Sequence, residues 1–219
     1  MTGQARSAAA QRRGDPERVK AFTDGVFAII ITILVLEISV PPNLSEQSLA
    51  EALDELRPEA TAWVVSFLIT GMYWVWHRDL FNQIRAVNRD VVWLNLLFML
   101  PVALIPFGAS VLGEYPDVPL ALHAYGVVLI AASVIRWVLY AYVMRRPELL
   151  FEPPSDRRRR IGGLLATAPI AIYLLAMVVA TPAPTVSVAL YLAVPLLYFG
   201  LITLLRSRPS TRTEAEDYG

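Results

Sequence analysis

The chain contains no cysteine, which excludes disulfides and every metal site built on thiolate. Histidine is nearly absent as well. His77 and His123 are the only two in 219 residues, too few for a histidine-rich metal centre. Charged residues make up only 17% of the chain, where soluble domains carry about a quarter. The 19 basic and 19 acidic residues cancel, so no net field speaks for nucleic acid or an acidic partner. No internal repeat is visible, so an inverted-repeat transporter draws no support. Nor is there a dense set of His, Asp and Glu, or a nucleophile with an adjacent base, so nothing reads as an enzyme.

What is abundant is apolar. Hydrophobic residues reach 56%, the mean hydropathy is +0.50, and the excess lies in long runs, the pattern of an integral membrane protein. Six segments are long enough to cross a hydrocarbon core, which takes about 20 residues of helix: 19–40, 59–80, 90–111, 119–143, 160–181 and 185–205. The last two meet at "TPAPT", a turn that cannot continue a helix. The expected fold class is all-α: a polytopic membrane protein of six transmembrane helices. The expected organisation is a disordered arm over 1–17, the helical domain over 18–206, and a disordered tail over 207–219. Residues 1–17 are polar and the following run is long enough to span, so the N-terminus does not read as a cleavable signal.

Charge placement orients the spans. Arg6, Arg12, Arg13, Arg18 and Lys20 stand before or at the start of the first. Arg78, Arg85 and Arg89 join the second and third, and Arg145, Arg146 and Arg157 to Arg160 join the fourth and fifth. Arg206, Arg208 and Arg212 follow the sixth, and the other three connections hold only Arg57. By the positive-inside rule both termini are cytoplasmic. The Arg157–Arg160 run reads as a stop signal and a contact for anionic lipid.

Ionisable residues inside spans are functional candidates. Asp24 and His77 fall near the cytoplasmic ends of the first and second helices, at similar depth with Arg18, and Arg136 sits in the fourth. A cluster of Asp24, Arg18 and His77 reads either as an interhelical latch or as a proton relay. Ser66, Thr70, Trp74 and His77 recur at helical spacing on one face, and Asn88 and Asn95, seven apart, share a face as well. Such faces meet protein, because lipid leaves amides and imidazole unpaired. Arg136 reads as snorkelling and His123 as interfacial. On the first helix Ile29, Ile33 and Leu36 form a narrow stripe with Thr32 on its shoulder, and Asp24 lies about 140° from Ile29. Glu37 reads as a solvated helix end or as an acidic mouth that gathers cations.

The stretch "RVKAFTDGVFAIIITILVLEI" resembles the first helix of prokaryotic members of the transmembrane protein 175 family, relatives of the lysosomal potassium channel. The family pattern, Arg-x-x-x-Phe-Ser-Asp-Gly before an Ile/Thr/Leu-rich helix, is matched by Arg18, Phe22, Thr23, Asp24 and Gly25, with Thr23 in the serine position. The resemblance continues through Trp74, His77 and Phe81, then Asn88, Trp93, Asn95 and Pro106. It implies a potassium channel, weakly selective over sodium, built as a homotetramer in the bilayer of a prokaryotic plasma membrane. Four copies of the first helix would line the pore. Ile29, Ile33 and Leu36 would form the hydrophobic constriction, Thr32 would bear on selectivity, and Arg18, Thr23, Asp24, Trp74, His77, Asn88 and Asn95 would make the polar latch. Potassium would be the permeant ion, with no cofactor or resident metal. No TVGYG-type loop is present, so a ring of filter carbonyls is not the selectivity device. The competing reading is a proton-coupled secondary transporter using Asp24 and His77.

Overall fold

The structure, a computed structural model, describes residues 14–40, 42 and 44–206. Among them every regular element is helical, and the only strand-like features are two isolated bridges. Helix α1, Pro16–Ile33, starts where the Asp15 carboxylate accepts the Glu17 N–H at 2.9 Å, with Pro16 preset for a first turn. It tightens into a 3-10 turn over Leu34–Glu37. Helix α2, Glu46–Glu55, is capped by Ser45 and buries nothing. Helix α3 runs Arg57–Phe81, α4 Arg89–Ala103, α5 Ile105–Glu114, α6 Pro119–Met144, α7 Asp156–Val179 and α8 Pro184–Arg206.

Among the described residues five stretches are long and apolar enough to cross a membrane: Pro16–Glu37, Arg89–Glu114, Pro119–Met144, Asp156–Val179 and Pro184–Leu201. The second expected span falls on α3, which is 25 residues long. It is more polar because it is the inner helix, packed against α1, α5 and α8 and burying Ser66, Thr70 and His77. The third expected span is a broken one. Pro106 has no N–H to offer the Val102 carbonyl, and the helix stops at Ala103 and restarts at Ile105. The expected arm also reaches too far: α1 begins at Pro16, and Gly14 is paired with Val87 through N–H···O bonds of 2.8 and 3.2 Å. The remainder of that arm and the expected tail lie outside the described residues.

Buried hydroxyls join the helices. The Tyr125 and Ser66 hydroxyls sit 2.7 Å apart, Tyr191 donates to the Leu122 carbonyl at 2.8 Å, and Tyr73 donates to the Leu129 carbonyl at 3.2 Å. Around them Phe98 meets Tyr73 and Trp76 in edge-to-face pairs, with centroids 5.8 and 5.9 Å apart. Near the N-terminal end of α6 His123 donates from Nε2 to the Met177 carbonyl at 2.9 Å, so the ring expected at the interface also ties α6 to α7.

Arg136 does not snorkel. It is 0% exposed, and its Nη2 donates to the Leu165 and Ala166 carbonyls of α7 at 3.1 and 2.9 Å. The reason lies in Pro169, inside α7. A proline has no N–H for the carbonyl four residues before it, here Leu165, and an orphan carbonyl in hydrocarbon is costly. The guanidinium satisfies it from the neighbouring helix. Its carbon lies 5.1 Å from the Trp76 ring and 5.9 Å from the Tyr73 ring, two aromatic faces that attract a cation.

Arg136→Leu should lower the unfolding free energy in detergent by about 1–3 kcal/mol, because the Leu165 carbonyl loses its partner. Adding Pro169→Ala, which restores an N–H for Leu165, should recover part of the loss. Strictly additive effects in that cycle would show that the arginine does not serve the carbonyl freed by the proline.

Candidate functional site

The site is built on α1. Its buried residues are Thr23, Phe27, Ile30 and Leu34, spaced four, three and four apart, a single helical face. Thr23 anchors that face. The Asn95 amide nitrogen on α4 donates to the Thr23 hydroxyl at 2.9 Å, and the Asn95 carbonyl oxygen lies 2.9 Å from His77 Nε2 on α3. With the amide nitrogen turned to Thr23, the oxygen is the acceptor and His77 Nε2–H the donor. Three helices therefore meet in one buried line, α1–α4–α3. Phe81 stacks on the His77 ring at 4.1 Å, and Phe27 lies 6.4 Å from it.

Asp24 is bonded separately. The Trp74 indole N–H donates to its Oδ1 at 2.8 Å, and Arg78 lies 5.3 Å from the Trp74 ring. Trp74 thus holds the carboxylate by its edge and a cation on its face. Asp24 and His77 share no hydrogen bond, so no proton path links them directly among the described residues. Arg18 is exposed and pairs with neither one.

The other sequence-derived faces divide. Ser66 turns to Tyr125 on α6, and Thr70 donates to the Ser66 carbonyl of its own helix at 2.7 Å, while Trp74 and His77 reach α1 and α4. Asn88 and Asn95 do not act together. Asn88 has extended backbone and stands before the first turn of α4, where its side chain accepts the Val91 N–H at 2.9 Å. Helical arithmetic therefore does not apply to it. Its amide also donates to the Tyr142 hydroxyl at 2.8 Å, tying α4 to α6.

With Thr23, Phe27, Ile30 and Leu34 turned inward, the opposite face of α1 is bare. Ile29 is 59% exposed, Ile33 40% and Leu36 73%. In the 3-10 turn residues three apart eclipse, so Leu36 stands directly beyond Ile33. The Thr32 hydroxyl donates back to the Ala28 and Ile29 carbonyls at 3.0 and 2.9 Å. Its hydrogen is committed to the backbone, and its oxygen remains an acceptor on the exposed face. At the far end Glu37 borders a cavity of about 170 Å3 with Glu59 and Glu114, a grouping of acids from three helices that sequence spacing did not reveal.

This fold is a multi-pass helical membrane protein whose first helix is gripped on a polar face and bare on an aliphatic one. A family model described as the endosomal/lysosomal potassium channel TMEM175 matches residues 18–106. A Streptomyces collinus protein named as a potassium channel is 37% identical over 158 residues, covering 68% of this chain and 76% of the relative. A Chamaesiphon minutus protein of the same description is 31% identical over 153 residues, 68% of this chain and 75% of the relative. The human endosomal/lysosomal proton channel TMEM175 is 27% identical over 161 residues, 70% of this chain and 32% of that longer protein. The crystal structure of a lysosomal potassium-selective channel TMEM175 homolog from Chamaesiphon minutus superposes with a TM-score of 0.73 at 25% identity, over 89% of this chain and 98% of that one. The chain belongs to the TMEM175 family.

Asn95→Ala removes the bridge between Thr23 and His77 and should destabilise the fold by about 1–2 kcal/mol, the range of interhelical polar bonds in membranes. Thr23→Ser keeps the acceptor and should cost less than half as much. Thermal unfolding of the three proteins in one detergent compares them, and equal losses for both variants would exclude the hydrogen-bonded role of Thr23.

Proposed function

We propose that this chain is the subunit of a potassium channel, weakly selective over sodium, in the cytoplasmic membrane of a prokaryote. Four copies assemble around an ion path lined by α1, and both termini face the cytoplasm. The observation that carries this reading is the division of α1: anchoring Thr23 and Asp24 to α3 and α4 forces Ile29, Thr32, Ile33 and Leu36 outward together. The bacterial relatives named as potassium channels support the choice of ion, and the alternation of arginine-rich connections supports the orientation.

In this assembly Ile29, Ile33 and Leu36 each form a ring of four side chains. A narrow apolar ring expels water, and a cation stripped of water does not cross it, so the closed state is a dewetted neck. Opening tilts or rotates α1 until the rings admit a partly hydrated ion. The Thr32 ring supplies four hydroxyl oxygens at that neck. Each has its hydrogen turned to backbone, so what it offers a passing cation is a lone pair. Asp24, on the opposite side, is a clamp that Trp74 fixes. Thr23, Asn95 and His77 form the second part of that clamp, while Asn88 is bonded elsewhere, to Val91 and Tyr142. The proton-coupled carrier reading needs Asp24 and His77 to exchange a proton, and the two are bonded to different partners, Trp74 and Asn95.

The test is flux from potassium-loaded against sodium-loaded liposomes containing purified protein. Potassium efflux should exceed sodium efflux and should not saturate with an organic solute. Thr32→Ala should leave the assembly intact and shift the reversal potential in mixed cations. Unchanged reversal potentials would remove Thr32 from the ion path. Ile29→Ala should raise conductance, whereas Asp24→Asn should impair assembly or gating and leave the ion preference of surviving channels unaltered. A clean selectivity change in Asp24→Asn would place that carboxylate on the ion path instead.

A further inference from the structure

The cytoplasmic ends of α6 and α7 carry a feature that ion conduction does not use. A groove of about 420 Å3 opens between them, walled by Tyr140 and Met144 of α6 and by the first turns of α7. Three arginines, Arg145, Arg159 and Arg160, line it, against one carboxylate, Asp156. A second groove of about 530 Å3 runs along the other side of the α6 end, between Trp137, Tyr142 and Arg146. Arg145 lines both. Among the described residues neither Arg145 nor any arginine of the 157–160 run forms an ion pair.

The groove is held in shape. The Tyr140 hydroxyl donates to the Arg159 carbonyl at 3.3 Å. The Tyr140 ring fills the space where a side chain at Gly162 would stand, so a glycine there lets the first turns of α7 close onto α6. Arg146 is held over the Tyr142 ring at 4.4 Å and lies 3.9 Å from Glu148. The cations that face the groove, Arg145, Arg159 and Arg160, form no ion pair among the described residues.

Immediately toward the membrane interior the surface turns apolar. Trp137 and Val138 on α6 and Leu164 on α7 are exposed. A ligand in the groove therefore meets guanidinium groups at one end and hydrocarbon-facing side chains at the other, with Trp and Tyr between them at the depth such rings favour. A soluble polyanion matches only the first of these features. We propose that this groove is a binding site for the phosphate headgroup of an anionic phospholipid, whose acyl chains lie along the outer faces of α6 and α7. The orientation proposed above decides only which leaflet supplies the lipid.

The test uses the full-length assembled protein in vesicles of equal phosphatidylcholine and phosphatidylglycerol, extracted gently and weighed by native mass spectrometry, with potassium flux recorded in the same vesicles. Phosphatidylglycerol should be retained in preference by at least about tenfold, and equal retention of the two lipids overturns the site. Replacing Arg145, Arg159 and Arg160 by glutamine should abolish the preference, while glutamine at Arg6, Arg12 and Arg13, an equal loss of charge, should leave it. Retention unchanged in the first variant, or lost equally in both, overturns the site. If the triple variant does not assemble, Arg145→Gln alone is read, with an expected drop of about fivefold. Displacement of the lipid by millimolar inorganic phosphate would assign the groove to a soluble anion. Because lipid retention is read by mass, absent flux counts against the channel reading and leaves the lipid site standing.

Discussion

The hydrogen-bonded line from Thr23 through Asn95 to His77 is the constraint on which the arrangement depends. Membrane helices gain little from hydrophobic segregation against one another, because lipid is as apolar as their side chains. What fixes the rotation of α1 about its own axis is therefore polar. One threonine hydroxyl, buried and satisfied by an asparagine that also engages a histidine, selects which face of the helix looks inward. Phe27, Ile30 and Leu34 follow from that choice, and so does the bareness of the opposite face. The Asp24–Trp74 bond adds a second fixed point one residue further along. Two adjacent side chains bonded to two different neighbours define a rotation better than either alone.

The same economy recurs at the outer helices. Where proline breaks the backbone ladder of α7, the arginine that covers the loss comes from α6 and rests on aromatic rings of α3. The proline, the cation and the aromatic faces belong to three different helices, so the repair of the α7 backbone is a property of the bundle. At the end of the bundle that carries the start of α1, the Gly14–Val87 and Ile84–Leu150 bridges draw that start, the α3–α4 connection and the α6–α7 connection together. The helices are thus tied by polar bonds near the middle and by backbone pairing at one end.

Much of this was legible in the sequence, and for a definable reason. Span lengths follow from bilayer thickness, and the RVKAFTDG stretch placed a hydroxyl and a carboxylate next to each other at the start of an apolar helix. The aliphatic stripe at 29, 33 and 36 follows from helical period alone. Asn88 was misread because period arithmetic assumes a helix already under way, and its backbone is still extended. The pairing of Arg136 with Leu165 and Ala166 has no periodic signature across 29 and 30 residues, although Pro169 announces an orphan carbonyl four positions earlier. The break at Leu104 was likewise written in Pro106. The gathering of Glu37, Glu59 and Glu114 had no such sign, because it arises from where three helices end.

The internal satisfaction of Thr32 carries a consequence for biogenesis. With its hydrogen given to Ala28 and Ile29, the bare side of α1 presents hydrocarbon with nothing it rejects. In the assembly proposed above, a lone subunit leaves the insertion machinery with the bonds of α1 already made, and the face assigned to the ion path is first solvated by acyl chains. Under that proposal folding and docking are separable in time, with the encounter of subunits in the plane of the bilayer following chain collapse.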